Sequence, residues 1–261
     1  MRIHILSSGS HGNMTILDDS ESAMEGARLI LDCGIKGRAL ASGLGATASN
    51  IDGAFVTHAH KDHCSGAGDL LKHGIKVYAS YETLDEMGDE IRDSGGTVAA
   101  RPWEITETDS YRVMPFPAFH DAANPLNFLV KARASGKKVA YITDTGHINT
   151  LFAGDVDAYI IECNYIDDIL DYNARTNPSM KILRDRLSGT HLSLAKVKAF
   201  FERQFGNCPA PRKAPKIMLA HISTGNGDAK RMVGEIAETV KPYFGGLPEV
   251  AAPEDGAETD I

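Results

Sequence analysis

Three histidines and one aspartate fall within six residues of the sequence, directly after the apolar run 54–56. They are His58, His60, Asp62 and His63. If a β-strand ends at this point, its side chains alternate, so that His58 and His60 point to the same side. The turn that follows brings Asp62 and His63 in from another direction. Because imidazole and carboxylate groups together suit zinc and related ions, the sequence predicts that this loop supplies metal ligands.

The composition is that of a folded, mildly acidic protein. Of the 261 residues, 43% are hydrophobic and 24% are charged, which is ordinary for a globular protein with a sizeable core. The formal net charge of −8 argues against a broad basic surface for nonspecific binding of duplex nucleic acid. A nuclease is still compatible with this charge, because bound divalent cations create a local positive site.

Neither a targeting segment nor a membrane segment is expected. The apolar run at 3–6 is too short for a signal peptide, and no stretch approaches 18 consecutive apolar residues. The cysteines are far apart and form no Cys-x-x-Cys pair, so we expect them to be reduced, as in a cytoplasmic protein. These cysteines are Cys33, Cys64, Cys163 and Cys208. We expect no membrane partner.

Short apolar runs bounded by Gly, Ser, Asn or Asp predict β-strands over much of the chain. Helical spacing becomes prominent in the last third, for example in the recurrence of Leu194, Val197 and Phe201. This mixture favours an α+β fold in which two sheets pack face to face with helices outside. Residues 245–261 are rich in Pro, Ala, Gly and acidic residues without apolar periodicity, which predicts a disordered acidic tail.

Further ligand-type residues follow predicted strands elsewhere in the sequence. His120, Asp144 and His221 each come directly after an apolar run, and His191 lies just ahead of a predicted helix. Strand ends are rigid positions from which a protein can present ligands. A site for two metals needs more ligands than one loop supplies, and these residues are the candidates.

The pattern His58-x-His60-x-Asp62-His63 resembles the signature of the metallo-β-lactamase superfamily of binuclear metallohydrolases. This resemblance implies a four-layer αββα sandwich over residues 1–244 that binds two divalent ions. Zn²⁺ is the expected metal and Mn²⁺ the alternative. By the same resemblance, His58, His60 and His120 hold the first ion, Asp62, His63 and His221 hold the second, and Asp144 bridges the two.

Two other features resemble the compact YycJ/WalJ-type exonucleases of this superfamily. One is the loop 7–13; the other combines the segments 161–165, 190–193 and 219–223. The implied activity is hydrolysis of phosphodiesters in single-stranded DNA or RNA, in the 5′ to 3′ direction. Asp62 would then orient the attacking water, and His191 would bind a phosphate or protonate the leaving oxygen. The alternative for His191 is a structural role, in which it caps the helix or supports the metal site.

The loop 7–13 is also a candidate phosphate-binding loop. Gly9 and Gly12 allow a tight turn, and Ser8, Ser10 and Asn13 supply neutral donors. An ordinary turn between two strands is the alternative interpretation. The segment 161–165 adds a further expected substrate contact, Asn164.

Three alternative functions stay open at this point. The same metal site could hydrolyse a small cyclic or modified nucleotide, which the acidic charge mildly favours. It could also open a thioester or lactone, as glyoxalase II and lactonase relatives do. A non-catalytic metal-dependent binder is the third, although a complete ligand set argues against it. The sequence does not indicate an oligomeric state.

Overall fold

The computed structural model describes residues 1–20, 28–45, 50–177, 180–207, 213–245 and 248–261. The chain divides into two compact units. The first unit comprises Met1–Pro117, Ala122–Tyr141 and Glu254–Ile261, and the second comprises Ala118–Asp121 and Ile142–Pro253.

The described residues form runs of strands interspersed with helices, as expected for the α+β class. The strands are β1 (Arg2–Ser7), β2 (Met14–Asp18), β3 (Arg28–Leu31), β4 (Ile51–Phe55), β5 (Val77–Ala79), β6 (Thr97–Ala99), β7 (Thr106–Glu107), β8 (Tyr111–Pro117), β9 (Leu126–Ala132), β10 (Lys138–Ile142), β11 (Ala158–Glu162), β12 (Lys216–Ala220), β13 (Val250–Ala251) and β14 (Ala257–Asp260). The helices are α1 (Gly37–Leu44), α2 (Lys61–Cys64), α3 (Ala67–Lys72), α4 (Tyr81–Glu86), α5 (Asp89–Arg92), α6 (Asp167–Thr176), α7 (Met180–Thr190), α8 (Leu194–Asn207) and α9 (Ala229–Val240), followed by a 3-10 turn at Lys241–Tyr243.

The first unit contains a seven-stranded sheet in the order β14-β1-β2-β3-β4-β5-β6. Pairing is antiparallel from β14 to β3 and parallel from β3 to β6. Leu40 of α1, Leu70 of α3 and Leu84 of α4 pack in one buried cluster with Ile30 and Val77 of the sheet. Each such side chain contributes roughly 1.5–3 kcal/mol to stability when it is fully buried. The shared cluster shows that helices cover one face of this sheet.

A second, antiparallel sheet in the first unit has the order β10-β9-β8-β7. It lies against the first sheet, since the rings of Phe55 and Phe128 meet edge to face with centroids 5.5 Å apart. The buried hydroxyl of Tyr111 donates to the carbonyl of Leu17 at 3.1 Å. The first unit therefore has a helix–sheet–sheet arrangement, which places the end of β4 in a rigid, buried setting.

In the second unit, strands β11, β12 and β13 run parallel. Helix α8 packs on these strands through an aromatic cluster in which the ring of Tyr159 contacts those of Phe200, Phe201 and Phe205. Helix α8 also packs against α9. The second unit is thus a sheet covered by helices, as the helical spacing of its sequence predicted. No helix in the described ranges combines the length and apolar character needed to cross a membrane.

The prediction of a disordered acidic tail over residues 245–261 is wrong for two segments, since Val250–Ala251 form β13, which pairs parallel with β12, and the last residues form a second strand. Residues Ala257–Asp260 form β14, which pairs antiparallel with β1 and sets Arg2 opposite Asp260. The strand escaped prediction because it is polar and lies at a sheet edge. Backbone hydrogen bonds hold the strand there. Because such bonds do not require apolar side chains, the sequence shows no apolar pattern.

Candidate metal centre

The metal-loop residues of the first unit come together directly after β4. His58 and His63 are fully buried, and the centroids of their rings lie 4.2 Å apart. The ring of His60 meets that of His58 at 4.6 Å. Asp62 Oδ2 lies 3.6 Å from His63 Nε2. The turn into α2, whose first residue follows His60, therefore gathers all four ligand candidates of the predicted loop.

A buried carboxylate that the sequence reasoning missed orients this loop. Asp32 follows β3, is completely buried, and accepts hydrogen bonds at both of its oxygens. Oδ1 accepts from the backbone and hydroxyl of Thr57 at 2.8 and 2.9 Å, and Oδ2 accepts from His63 Nδ1 at 2.8 Å and from the hydroxyl of Tyr141 at 2.9 Å. The bond to Nδ1 places the imidazole proton there and leaves the lone pair of Nε2 as the one that a metal could use.

Thr57 fixes the tautomer of His58 in a similar way. Its hydroxyl proton points to Asp32, so its oxygen accepts from His58 Nδ1 at 3.0 Å. This arrangement fixes the proton of His58 on Nδ1 and leaves Nε2 as the ligand atom. The local chemistry of the first unit thus fits a divalent metal with nitrogen and carboxylate ligands.

The loop 7–13 supports the metal loop from the N-terminal side. The side chain of Asn13 donates to the carbonyl of Asp62 at 3.3 Å and lies 3.0 Å from His63 Nε2. Gly34 permits a close approach on the other side, because a Cβ there would lie 1.7 Å from the Asp62 carbonyl oxygen. Asn13, predicted as a substrate contact, therefore holds the metal loop in this structure.

Ser8, one of the expected phosphate donors of that loop, faces the carboxylate of Asp255. The backbone N–H of Ser8 donates to Asp255 Oδ1 at 2.8 Å, and His11 Nε2 lies 3.0 Å from Asp255 Oδ2. The side chain of Ser10 is exposed. Gly9 has φ +137°, which confirms the predicted tight turn.

The second unit gathers His120, Asp144 and His221. His221 Nδ1 lies 3.2 Å from Asp144 Oδ1, and His120 Nε2 lies 3.6 Å from Asp144 Oδ2. Asp144 and His221 both adopt positive φ, at +43° and +52°. Such backbone strain in non-glycine residues concentrates at functional sites, and here it occurs directly after strands β10 and β12.

The protonation of His120 suits a metal ligand. Burial lowers the pKa of this imidazole and outweighs the charge of Asp144, so the pKa lies below its ordinary value. The backbone carbonyl of Thr190 accepts from Nδ1 at 2.9 Å. A neutral ring with its proton on Nδ1 presents the Nε2 lone pair that a metal requires.

A second carboxylate missed by the sequence reasoning is Glu162, at the end of β11. It is fully buried, and its Oε1 accepts from His191 Nδ1 and lies 3.1 Å from His221 Nδ1. Its Oε2 accepts from the backbone N–H groups of Thr145 and Leu192, both at 3.2 Å. Glu162 therefore joins four separate segments of the second unit.

Glu162 and His191 shift each other's protonation. Burial alone would lower the pKa of His191, but the charge and the hydrogen bond of Glu162 outweigh burial and raise it. Burial likewise favours the neutral form of Glu162, but the charge of His191 holds the pKa of this carboxyl below its ordinary value. Both shifts favour an imidazolium–carboxylate pair, in which His191 Nε2 is the remaining N–H donor.

Asn164 supports His221 in the second unit. Its side-chain amide donates to the His221 carbonyl at 2.9 Å and lies 3.3 Å from the ring Nδ1. Ligand-type atoms of Asp144, Glu162, His191 and His221 lie within 4.8 Å of one another, and all four residues are buried. This buried set of nitrogen and carboxylate donors fits a divalent metal.

The sequence matches a family model described as the beta-lactamase superfamily domain over residues 27–199. It is 29% identical over 236 residues to the exodeoxyribonuclease WalJ of Streptococcus pneumoniae, covering 85% of this chain and 81% of that protein. It is 28% identical over 179 residues to the exodeoxyribonuclease YycJ of Bacillus anthracis, covering 65% of each chain.

The fold is also found among solved structures. The metallo-β-lactamase fold protein YhfI from Bacillus subtilis aligns with a TM-score of 0.69 and 14% identity, covering 99% of each chain. The predicted αββα sandwich is thereby confirmed. The prediction of a metal-dependent hydrolase is confirmed at the level of the superfamily, since the family model spans well over half of the sequence. The chain belongs to the metallo-β-lactamase superfamily.

Proposed function

We propose that the chain is a two-metal phosphodiesterase that removes nucleotides from single-stranded DNA or RNA, in the 5′ to 3′ direction. The observation that carries the proposal is the gathering of the candidate ligands within each unit, where the buried carboxylate Asp32 orients His63 and the buried Glu162 lies 3.1 Å from His221. The two similar proteins named as exodeoxyribonucleases support the choice of substrate.

We propose the ligand sets that the sequence predicted. When bound, two divalent ions, Zn²⁺ or alternatively Mn²⁺, would activate water and offset negative charge on the phosphoryl oxygens. The proposed ligands are His58, His60 and His120 for one ion, Asp62, His63 and His221 for the other, and Asp144 between them.

The side chains of the protein have distinct roles in this proposal. Asp62 lies at the start of α2 with its side chain 25% exposed, so it can accept a proton from the attacking water. His191 is bound through Nδ1 to Glu162, which leaves Nε2 to donate a proton to the leaving oxygen or a hydrogen bond to a phosphate. Glu162 stabilises the imidazolium that this donation requires.

Substrate contacts are proposed for Ser8, Ser10, Asn13 and Asn164. Ser10 offers an exposed hydroxyl. Asn13 and Asn164 also hold backbone carbonyls next to the ligand candidates, so their replacement tests positioning as well as binding. The widely separated cysteines support the proposal that the enzyme works in the reducing cytoplasm.

The test is hydrolysis of end-labelled single-stranded DNA and RNA with a 5′ phosphate, under added Zn²⁺ or Mn²⁺. The Asp62→Ala/His63→Ala double variant runs beside wild type, and Lys61→Ala is the matched control because Lys61 is an exposed residue of the same helix. We expect stepwise release of mononucleotides from the 5′ end by wild type and Lys61→Ala only.

Metal content, measured by mass spectrometry, accompanies the assay and is expected to be two ions per chain. Wild type that holds two ions but cleaves neither polymer would contradict the nuclease proposal. The same protein would then be assayed on a cyclic nucleotide and on a thioester. Turnover of either would identify one of the alternative functions.

A further inference from the structure

We propose that Phe119 and His147 form a stacking platform that binds the terminal nucleobase of a single-stranded substrate. This inference rests on the proposed function and deepens it by naming a base-binding site. The two rings stack with centroids 3.8 Å apart and an interplanar angle of 22°. Every nucleobase has a π-face, so such a platform binds bases with little regard to sequence.

The exposure of this pair separates it from the aromatic core of the same unit. Phe119 is 38% exposed and His147 is exposed as well. Phe152, Phe200 and Phe201, which also make ring contacts in the second unit, are at most 2% exposed. The core thus has its own aromatic cluster, and the Phe119–His147 pair presents apolar ring surface to solvent.

Backbone hydrogen bonds hold the platform in place. The N–H of Phe119 donates to Thr145 Oγ1 at 3.0 Å, and the Thr145 hydroxyl donates to the carbonyl of His147 at 2.8 Å. The N–H of Gly146 donates to the carbonyl of Phe119 at 2.8 Å. A base that stacks on this pair therefore does not have to order a flexible loop, which lowers the entropic cost of binding.

The same short segments carry proposed metal ligands of the second unit. Phe119 directly precedes His120, and His147 follows Asp144 by three residues. Thr145, whose hydroxyl links the backbones of Phe119 and His147, also donates through its own backbone N–H to Glu162. The segments that hold the platform therefore also hold His120, Asp144 and Glu162, so a base bound there would lie next to these residues.

The experiment uses the full chain, without added metal, and a 5′-phosphorylated oligodeoxynucleotide carrying 2-aminopurine at its 5′ end. Stacking quenches the fluorescence of this base analogue. We expect quenching by wild type and by Phe119→Trp, and loss of quenching with about 5- to 150-fold weaker binding in Phe119→Ala and in His147→Ala. Tyr172→Ala is the matched control, because Tyr172 is an exposed aromatic residue of α6 in the same unit.

Two further arms sharpen the readout. An oligonucleotide with an abasic 5′ end should bind wild type more weakly than the intact one, and Phe119→Ala should no longer distinguish them. Quenching is also measured with free 2-aminopurine deoxynucleoside 5′-monophosphate. Quenching of the oligonucleotide alone indicates a site for polymer ends, and quenching of both indicates a site that also accepts mononucleotides. Circular dichroism of each variant establishes that it is folded.

The outcomes separate this inference from the proposed function. Equal quenching by wild type and Phe119→Ala, or no quenching by wild type, would overturn the platform whatever the hydrolysis assay gives. Quenching that depends on Phe119 in a protein that cleaves no polymer would support the platform while contradicting the nuclease.

Discussion

His63 Nδ1 donates to Asp32 Oδ2 at 2.8 Å, and both side chains are completely buried. In the second unit, His191 Nδ1 donates to the equally buried Glu162. Each unit therefore orients a histidine with a carboxylate placed at or just after the end of a strand. A carboxylate behind an imidazole fixes its tautomer and raises its basicity, and loss of such a partner commonly weakens metal binding about 10- to 100-fold.

Asp32→Asn is expected to weaken zinc binding about 10- to 100-fold. The amide keeps the size of the carboxylate, but its NH₂ group faces the N–H of His63, so the imidazole loses its acceptor. Zinc affinity is measured by competition with a chromogenic chelator. Tyr141→Phe is the control: it removes one donor to the same carboxylate and leaves the bond to His63. Unchanged zinc affinity in Asp32→Asn would show that this bond does not prepare His63 for metal.

Gly34→Ala is expected to displace the metal loop and to lower both stability and zinc affinity. A Cβ at this position would lie 1.7 Å from the carbonyl oxygen of Asp62, so the backbone has to move. The control is Gly234→Ala in α9, where a Cβ meets nothing within 4 Å; it should stabilise the protein by up to about 1 kcal/mol. Urea denaturation measures the free energy of unfolding of both variants. Wild-type stability with full zinc binding in Gly34→Ala would contradict the prediction.

Glu162→Ala is expected to destabilise the metal-free protein by about 3–5 kcal/mol, because it breaks a buried pair by removing one partner of His191. It also removes the acceptor of two backbone N–H groups. Glu202→Ala, an exposed change in α8, should stay within about ±0.5 kcal/mol of wild type. The free energies of unfolding are compared by urea denaturation at pH 6. Similar values for the two variants would mean that Glu162 contributes little to the fold.

The sequence predicted those parts of the structure that have a local pattern. The apolar runs ahead of His58, Asp144 and His221 predict strands, and the structure ends a strand within three residues of each of these positions. The histidine-rich loop was recognisable because its ligand candidates are neighbours in sequence. His120 likewise follows strand β8 by three residues, whereas His191 directly follows helix α7.

Asp32 and Glu162 escaped prediction for a physical reason. Each is a lone carboxylate at or just after a strand end, and its hydrogen-bond partners lie 17 to 109 positions away in sequence. Nothing local distinguishes such a residue from a solvated turn aspartate or glutamate. The strand β14 escaped for a related reason, since its pairing with β1 joins residues more than 250 positions apart. Long-range pairings of this kind exist only once the fold has formed.

Removal of metal is expected to lower the stability of the whole enzyme. If the buried nitrogen and carboxylate donors bind zinc in the folded state only, zinc at 100 times its dissociation constant should add about 2.7 kcal/mol to the free energy of unfolding. Mg²⁺ at the same concentration should add much less, because it prefers oxygen ligands and keeps its waters. Thermal unfolding of chelator-treated protein, with and without each ion, measures the difference. Equal stabilisation by both ions, or none by zinc, would contradict metal binding by histidine nitrogens.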